Sequence, residues 1–125
     1  GFPTETREEM LNMADEVSGL HLDFLKIHQL QVVKDTPLAQ MHKENPFHTF
    51  EYEEYLDFIV DFIERLSPDI VLQRLFATAP DDILIAPRWD RSRHQITRDI
   101  QQRFIDRDTF QGKKYRALQI TGLIG

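Results

Sequence analysis

Polar and apolar positions change period along this chain, and each change marks an element. Met10, Met13, Ala14 and Val17 recur at helical spacing, Thr6 stands at an N-cap position and Glu9 closes a capping box, so a helix is expected from Thr6 to about Ser18. Glu5, Glu8 and Glu9 set negative charge at the positive end of its dipole, and Gly19 marks its stop. From Leu22 to Val33 the pattern becomes partly alternating, as in a strand buried on at least one face. Leu25 and Ile27 then share one face, and Phe24, Lys26, His28 and Leu30 the other. A long connection follows, with a short amphipathic stretch through Met41 and His42 and a break at Asn45-Pro46.

The next helix, from about Thr49, carries the clearest stripe. Tyr52, Tyr55, Leu56, Ile59, Val60, Ile63 and Leu66 line one side, while Glu53, Glu54, Asp57, Asp61 and Glu64 fall mostly outside it. Ser67-Pro68 ends this helix, and Ile70 to Phe76 reads as a second buried strand. A last helix is expected from Arg91 to Arg107, with Ile96, Ile100 and Phe104 at four-residue spacing. Strand, helix, strand is the unit that builds a parallel sheet, so the class is α/β.

Composition narrows the function. With 125 residues, 41% hydrophobic and 29% charged, the chain suits a single domain. A formal charge of -6 argues against broad binding to phosphate backbones, though not against a local basic patch. The absence of cysteine rules out a disulfide, a zinc-thiolate site or an iron–sulfur cluster built from these residues alone. No run is long and apolar enough to cross a bilayer, and no export signal stands at the start, so a cytoplasmic protein with no membrane partner is expected.

Both strand-to-helix connections are long and both helix-to-strand turns are short, and in α/β folds ligands gather beyond the carboxyl ends of the strands. Lys26, His28, Gln73 and Arg74, near those ends, are therefore the candidate catalytic or substrate-facing residues. A hydrogen-bonded structural role competes for His28, and a buried ion pair for Arg74. Two basic groups converging on one face would suit an anionic substrate group, subject to strand register. No Gly-rich phosphate loop, zinc-binding His-Glu-x-x-His helix or Gly-x-Ser-x-Gly elbow is present, and the histidines lack ligand spacing, so no metal site is expected. The first helix's methionines read as core filler. Trp89 either stacks on a planar ligand or covers the mouth of the fold, with covering favoured.

The chain starts at Gly1-Phe2-Pro3-Thr4-Glu5-Thr6, which reads as a loop leaving a β-strand that is itself absent. Its backbone amides either face a ligand or form an ordinary βα turn. The segment resembles the Gly-x-Pro-x-Glu-Thr turn of radical S-adenosylmethionine enzymes, in the branch with the Elongator catalytic subunit, the methylthiotransferases and the oxygen-independent coproporphyrinogen oxidases. The later segments Leu25 to Leu30, Lys34 to Ala39, Gln73-Arg74-Leu75, Ala79-Pro80 and Leu84 to Trp89 follow in the order seen in the C-terminal half of YhcC-like members. The resemblance reaches to about Tyr115; the tail 117–125 has no counterpart.

The resemblance implies the C-terminal part of a (β/α) TIM-type barrel. It further implies a full-length Fe–S oxidoreductase that cleaves S-adenosylmethionine to a 5′-deoxyadenosyl radical for hydrogen abstraction, using a [4Fe-4S] cluster held by cysteines upstream. Gly1, Pro3, Glu5 and Thr6 would lie near the S-adenosylmethionine, and this segment by itself would bind neither cofactor and be inactive. Its partner would be the missing N-terminal half, and the substrate, a small molecule or RNA, stays open. Two competing readings are a non-catalytic interaction module and an RNA-modifying radical enzyme. Because two strands alone leave exposed edges, self-association of the segment is expected.

Overall fold

The structure, a computed structural model, describes residues 5–115. Gly1, Pro3 and the tail 117–125 lie outside the described residues. Helix α1 (Arg7–Ser18) begins where the sequence places it: the Thr6 hydroxyl accepts from the Glu9 amide at 3.1 Å, and the Thr6 amide donates to Glu9 Oε1 at 3.3 Å. Gly19 stays in the right-handed region, at φ -72°, and the left-handed step falls on His21, at φ 54°. The stop therefore does not use the freedom of the glycine. Met10 packs against the core, but Met13 is 45% exposed and fills nothing.

The expected strand from Leu22 to Val33 is two elements. Strand β1 (Phe24–Lys26) ends early, and β2 (Val32–Val33) belongs to a different sheet. Between them Gln29 turns inward, 4% exposed; its amide donates to the Ala77 carbonyl at 2.9 Å and its carbonyl accepts from the Ala77 amide at 3.0 Å. A side chain thus replaces a rung of the ladder, which an alternating pattern does not reveal. Helices α2 (Pro37–Glu44) and α3 (Tyr52–Glu64) follow, then β3 (Val71–Arg74), β4 (Leu84–Ala86) and α4 (Arg93–Asp106). A cis peptide joins Ala86 to Pro87.

Strands β1 and β3 pair in parallel, Phe24 opposite Val71 and Leu25 opposite Leu72, and a register shift then brings Lys26 opposite Arg74. Strands β2 and β4 pair antiparallel. The two long connections beyond the carboxyl ends of β1 and β3 are thereby tied to each other. The architecture is mixed α/β with two small sheets, and among the described residues the strands do not close into a barrel: β1 and β3 have no further strand on either side.

Helix α3 is the centre of the core, with every residue of its predicted apolar stripe buried. Tyr55, Phe58 and Phe62 extend it, Ala14 of α1 and Ile96 and Ile100 of α4 pack against it, and Leu25, Ile27 and Leu72 cover it from the sheet. Glu64, expected outside, is 4% exposed, because Arg107 and Lys114 reach it at 2.8 and 3.4 Å from beyond the helix. Strand β3 is less buried than its apolar run suggests. Val71 is 55% exposed and its neighbour Phe24 59%, so the sheet face turned away from α3 is bare.

Candidate functional site

The alternation of β1 sets the site. The Asp23 carbonyl and the Ile27 amide bond to β3, at 2.9 and 2.7 Å, so the odd-numbered groups point at the partner strand. The backbone groups of Phe24 and Lys26 then point to the open edge. Along that edge runs a cleft of about 340 Å³, lined by Glu5, Lys26, His28 and Gln29 and, on its apolar side, by Met10, Met13, Val17, Phe50, Tyr55, Phe58 and Phe62 among others. Lys26 and His28 are exposed, and the His28 ring nitrogen Nδ1 lies 3.4 Å from the Gln29 carbonyl. Thr6 is committed to capping α1.

Gln73 and Arg74 line a different cleft, of about 420 Å³, on the far side of β3, together with Leu72, Leu75, Phe76, Arg93 and Thr97 of α4. The four candidate residues therefore form two pairs on two clefts rather than one constellation. Arg74 is exposed, and its side chain has no ion-pair partner among the described residues, so the buried-ion-pair reading does not apply.

Above the strand ends, a third cavity of about 390 Å³ carries Gln29, Gln31, Thr78, Asp81, Trp89, Asp90 and Arg91. Trp89 covers rather than stacks on a ligand. It is 8% exposed, donates from Nε1 to the Phe50 carbonyl at 2.9 Å and lies 5.1 Å from the Tyr55 ring. The Tyr55 hydroxyl donates to the Leu75 carbonyl at 2.7 Å, just past β3, and burial pushes this phenol well above its ordinary range. It is therefore a neutral donor at any physiological pH. Tyr52 is held neutral as well, by burial and then by Asp99, whose carboxylate accepts its hydroxyl at 2.5 Å. Tyr55, Gln29 and Trp89 thus fix the ground on which both clefts stand. Their apolar-stripe and strand positions give Tyr55 and Gln29 no expected polar role. The only hint was a glutamine set among apolar residues at the end of a strand.

No group of three or more His, Asp or Glu side chains that could hold a metal ion occurs among the described residues. None of the described helices is long and apolar enough to cross a membrane.

The sequence that builds this parallel strand pair matches a known family. The Radical_SAM C-terminal domain model covers residues 22–106, and the chain belongs to that family. Uncharacterized protein MJ0486 of Methanocaldococcus jannaschii is 33% identical over 116 residues, which are 92% of this chain and 36% of that protein. Uncharacterized protein YtqA of Bacillus subtilis is 25% identical over 119 residues, 95% of this chain and 37% of its own. Protein YhcC of Escherichia coli is 28% identical over 93 residues, 74% of this chain and 30% of its own. The chain thus spans about a third of the length of these relatives. The resemblance to YhcC-like proteins read from the motif order is supported at the level of the family, though not at the level of one branch.

Proposed function

We propose that these residues are the C-terminal part of a radical S-adenosylmethionine Fe–S oxidoreductase, in which β1, α3 and β3 continue a (β/α) barrel begun by upstream strands. The observation that carries this reading is the unfinished parallel sheet. Its β1 edge is open, its outer face exposes Phe24 and Val71 side by side, and Lys26 and His28 stand on the cleft along that edge. In a closed barrel the outer face would become the interior, and the open edge would receive the strand that leads into α1.

The cluster finds no ligands here, since the chain has no cysteine and the described residues hold no metal-binding group. S-adenosylmethionine fits better at the carboxyl end of β1, beyond the stretch of edge that the upstream strand would fill, where Lys26, His28 and Glu5 offer a cation, an imidazole and a carboxylate. Glu5, Lys26 and His28 are the residues of this chain that would hold it, with Thr6 setting the helix start beside it. The resemblance, read from the sequence alone, assigns Gly1 and Pro3 to the same cofactor. When bound, the cofactor pair would supply a radical able to take hydrogen from a substrate. The work of this chain is to orient and to exclude water: Tyr55 and Trp89 fix the loops beyond the strands, and Lys26 offers positive charge to an anionic group. The reading places the protein in the cytoplasm, and it has the isolated segment associate with itself through the same open edge and the bare face of Phe24 and Val71, which light scattering would detect as a mass above that of a monomer.

The test is anaerobic reconstitution of the full-length protein with iron and sulfide, followed by chromatographic detection of 5′-deoxyadenosine after reduction with S-adenosylmethionine present. Formation of 5′-deoxyadenosine supports the reading. A protein that binds no iron and gives no heat on titration with S-adenosylmethionine would be the docking module instead.

A further inference from the structure

The cleft between β3 and the start of α4 differs in its charge from three others among the described residues. The lining of the cleft along β1 holds Glu5 as well as Lys26, that of the cavity above the strands Asp81 and Asp90 as well as Arg91, and that of the groove under α2 Asp35 as well as Lys34 and Lys43. The β3 cleft presents Arg74 and Arg93, with no carboxylate among the described residues that line it. In a chain of formal charge -6, an uncompensated arginine pair is not what surface composition alone would produce.

The local structure adds to this excess. Arg93 is the first residue of α4, and the first turn of that helix carries no acidic residue, so a guanidinium stands where the helix dipole is already positive. Arg93 is held in place by a bond from Nη2 to Thr78 Oγ1 at 2.9 Å, which leaves its other N–H groups for a ligand. The Arg74 side chain has no partner among the described residues. Gln73 and Thr97 add an amide and a hydroxyl to the same lining, and Leu72 and Phe76 supply apolar surface.

We infer that this cleft binds a small molecule through a phosphate monoester. Arginine forks match phosphate oxygens in paired hydrogen bonds, and a tetrahedral dianion can use both guanidiniums, the amide and the hydroxyl at once, where a planar carboxylate presents fewer acceptors. The volume of about 420 Å³ leaves room for an apolar body beside the phosphate. The inference rests on the proposed function only in placing this cleft at the carboxyl end of a barrel strand; anion binding follows from the charge alone.

Phenyl phosphate and benzoate carry the same ring with the two anions and serve as probes in calorimetric titration of the full-length protein. Phenyl phosphate should bind at least about tenfold more tightly than benzoate, and Arg74→Gln and Arg93→Gln should each weaken it about tenfold. Arg98→Gln, outside the cleft lining, should leave it unchanged, and S-adenosylmethionine binding should be the same in all variants. If Arg93→Gln perturbs folding through its lost bond to Thr78, Arg74→Gln carries the test alone, because no side-chain hydrogen bond or ion pair among the described residues is lost with it. Unchanged phenyl phosphate affinity in Arg74→Gln, equal binding of benzoate, or an equal loss in Arg98→Gln would overturn the inference. A protein that binds phenyl phosphate as described but forms no 5′-deoxyadenosine would overturn only the radical-enzyme reading.

Discussion

Helices α3 and α4 and the strand pair β1–β3 pack on one core, yet their outer surfaces are finished to different degrees. Carboxylates of α3 meet arginines in series: Arg103 bridges Asp57 at 2.5 Å and also holds Glu53, and Arg107 bridges Asp61 at 2.5 Å and the buried Glu64 at 2.8 Å. Arg7 of α1 reaches Asp61 from the other side. The sheet shows the reverse, with large apolar side chains exposed, Lys26 opposite Arg74 and backbone groups facing an open edge. Exposed ion pairs contribute little each, so the difference lies less in stability than in what each surface leaves unsatisfied. The outward carboxylates of α3 are met, although Ile105 of α4 stays 70% exposed, whereas the sheet leaves a backbone edge and a bare face to a neighbour.

Substitutions can sharpen that contrast. The largest effect should come from the helical side: Ile59→Ala, at a fully buried position, should cost about 2–5 kcal/mol in denaturant unfolding of the full-length protein. Gly112→Ala should be next, at about 1–3 kcal/mol, because Gly112 sits at φ 85° and an added Cβ would lie 2.8 Å from Pro68 Cδ. Gln29→Ala should cost a comparable ~1–3 kcal/mol, since it strands the Ala77 amide and carbonyl, and it should also speed proteolysis of the 75–83 loop.

A smaller effect depends on pH. Partial burial raises the Asp61 carboxyl, but bonds from Arg7 and Arg107 more than offset this and hold it below its ordinary 3.8. A carboxylate depressed in the folded state stabilises fully above its unfolded value, and that contribution fades as pH falls through the folded one. Asp61→Asn should therefore be less stable than the parent at neutral pH, with the gap narrowing below about pH 4 in an acid titration followed by circular dichroism. The smallest effect belongs to the sheet: Val71→Ser should change the stability of the isolated segment by no more than about 0.5 kcal/mol while reducing its association. A loss as large as that of Ile59→Ala would mean that Val71 is part of the core, and the contrast would fail.

The sequence makes the helical side legible and the sheet only partly so. The cap at Thr6, the stripe from Tyr52 to Leu66 and the buried Ile96 and Ile100 depend on neighbours within one helix, which periodicity records. The division of the Leu22 to Val33 stretch, the burial of Glu64 and the pairing of β2 with β4 depend on residues dozens of positions away, which it does not. Lys26, His28, Gln73 and Arg74 are legible as strand ends, whereas their separation into two clefts depends on packing between elements distant in the chain. The arginine cleft was half visible in Arg74; Arg93 joins it only through the way α4 packs.

The central claim, that the open edge of β1 receives a strand from the rest of the protein, has a direct measurement. Amide hydrogen exchange, resolved by residue in the full-length protein, compares Phe24 and Lys26, whose amides face that edge, with Leu25 and Ile27, whose amides face β3. The account predicts slow exchange at all four positions, with Phe24 and Lys26 protected as well as their neighbours. Protection at Leu25 and Ile27 alone, with Phe24 and Lys26 exchanging as freely as an exposed loop, would contradict it.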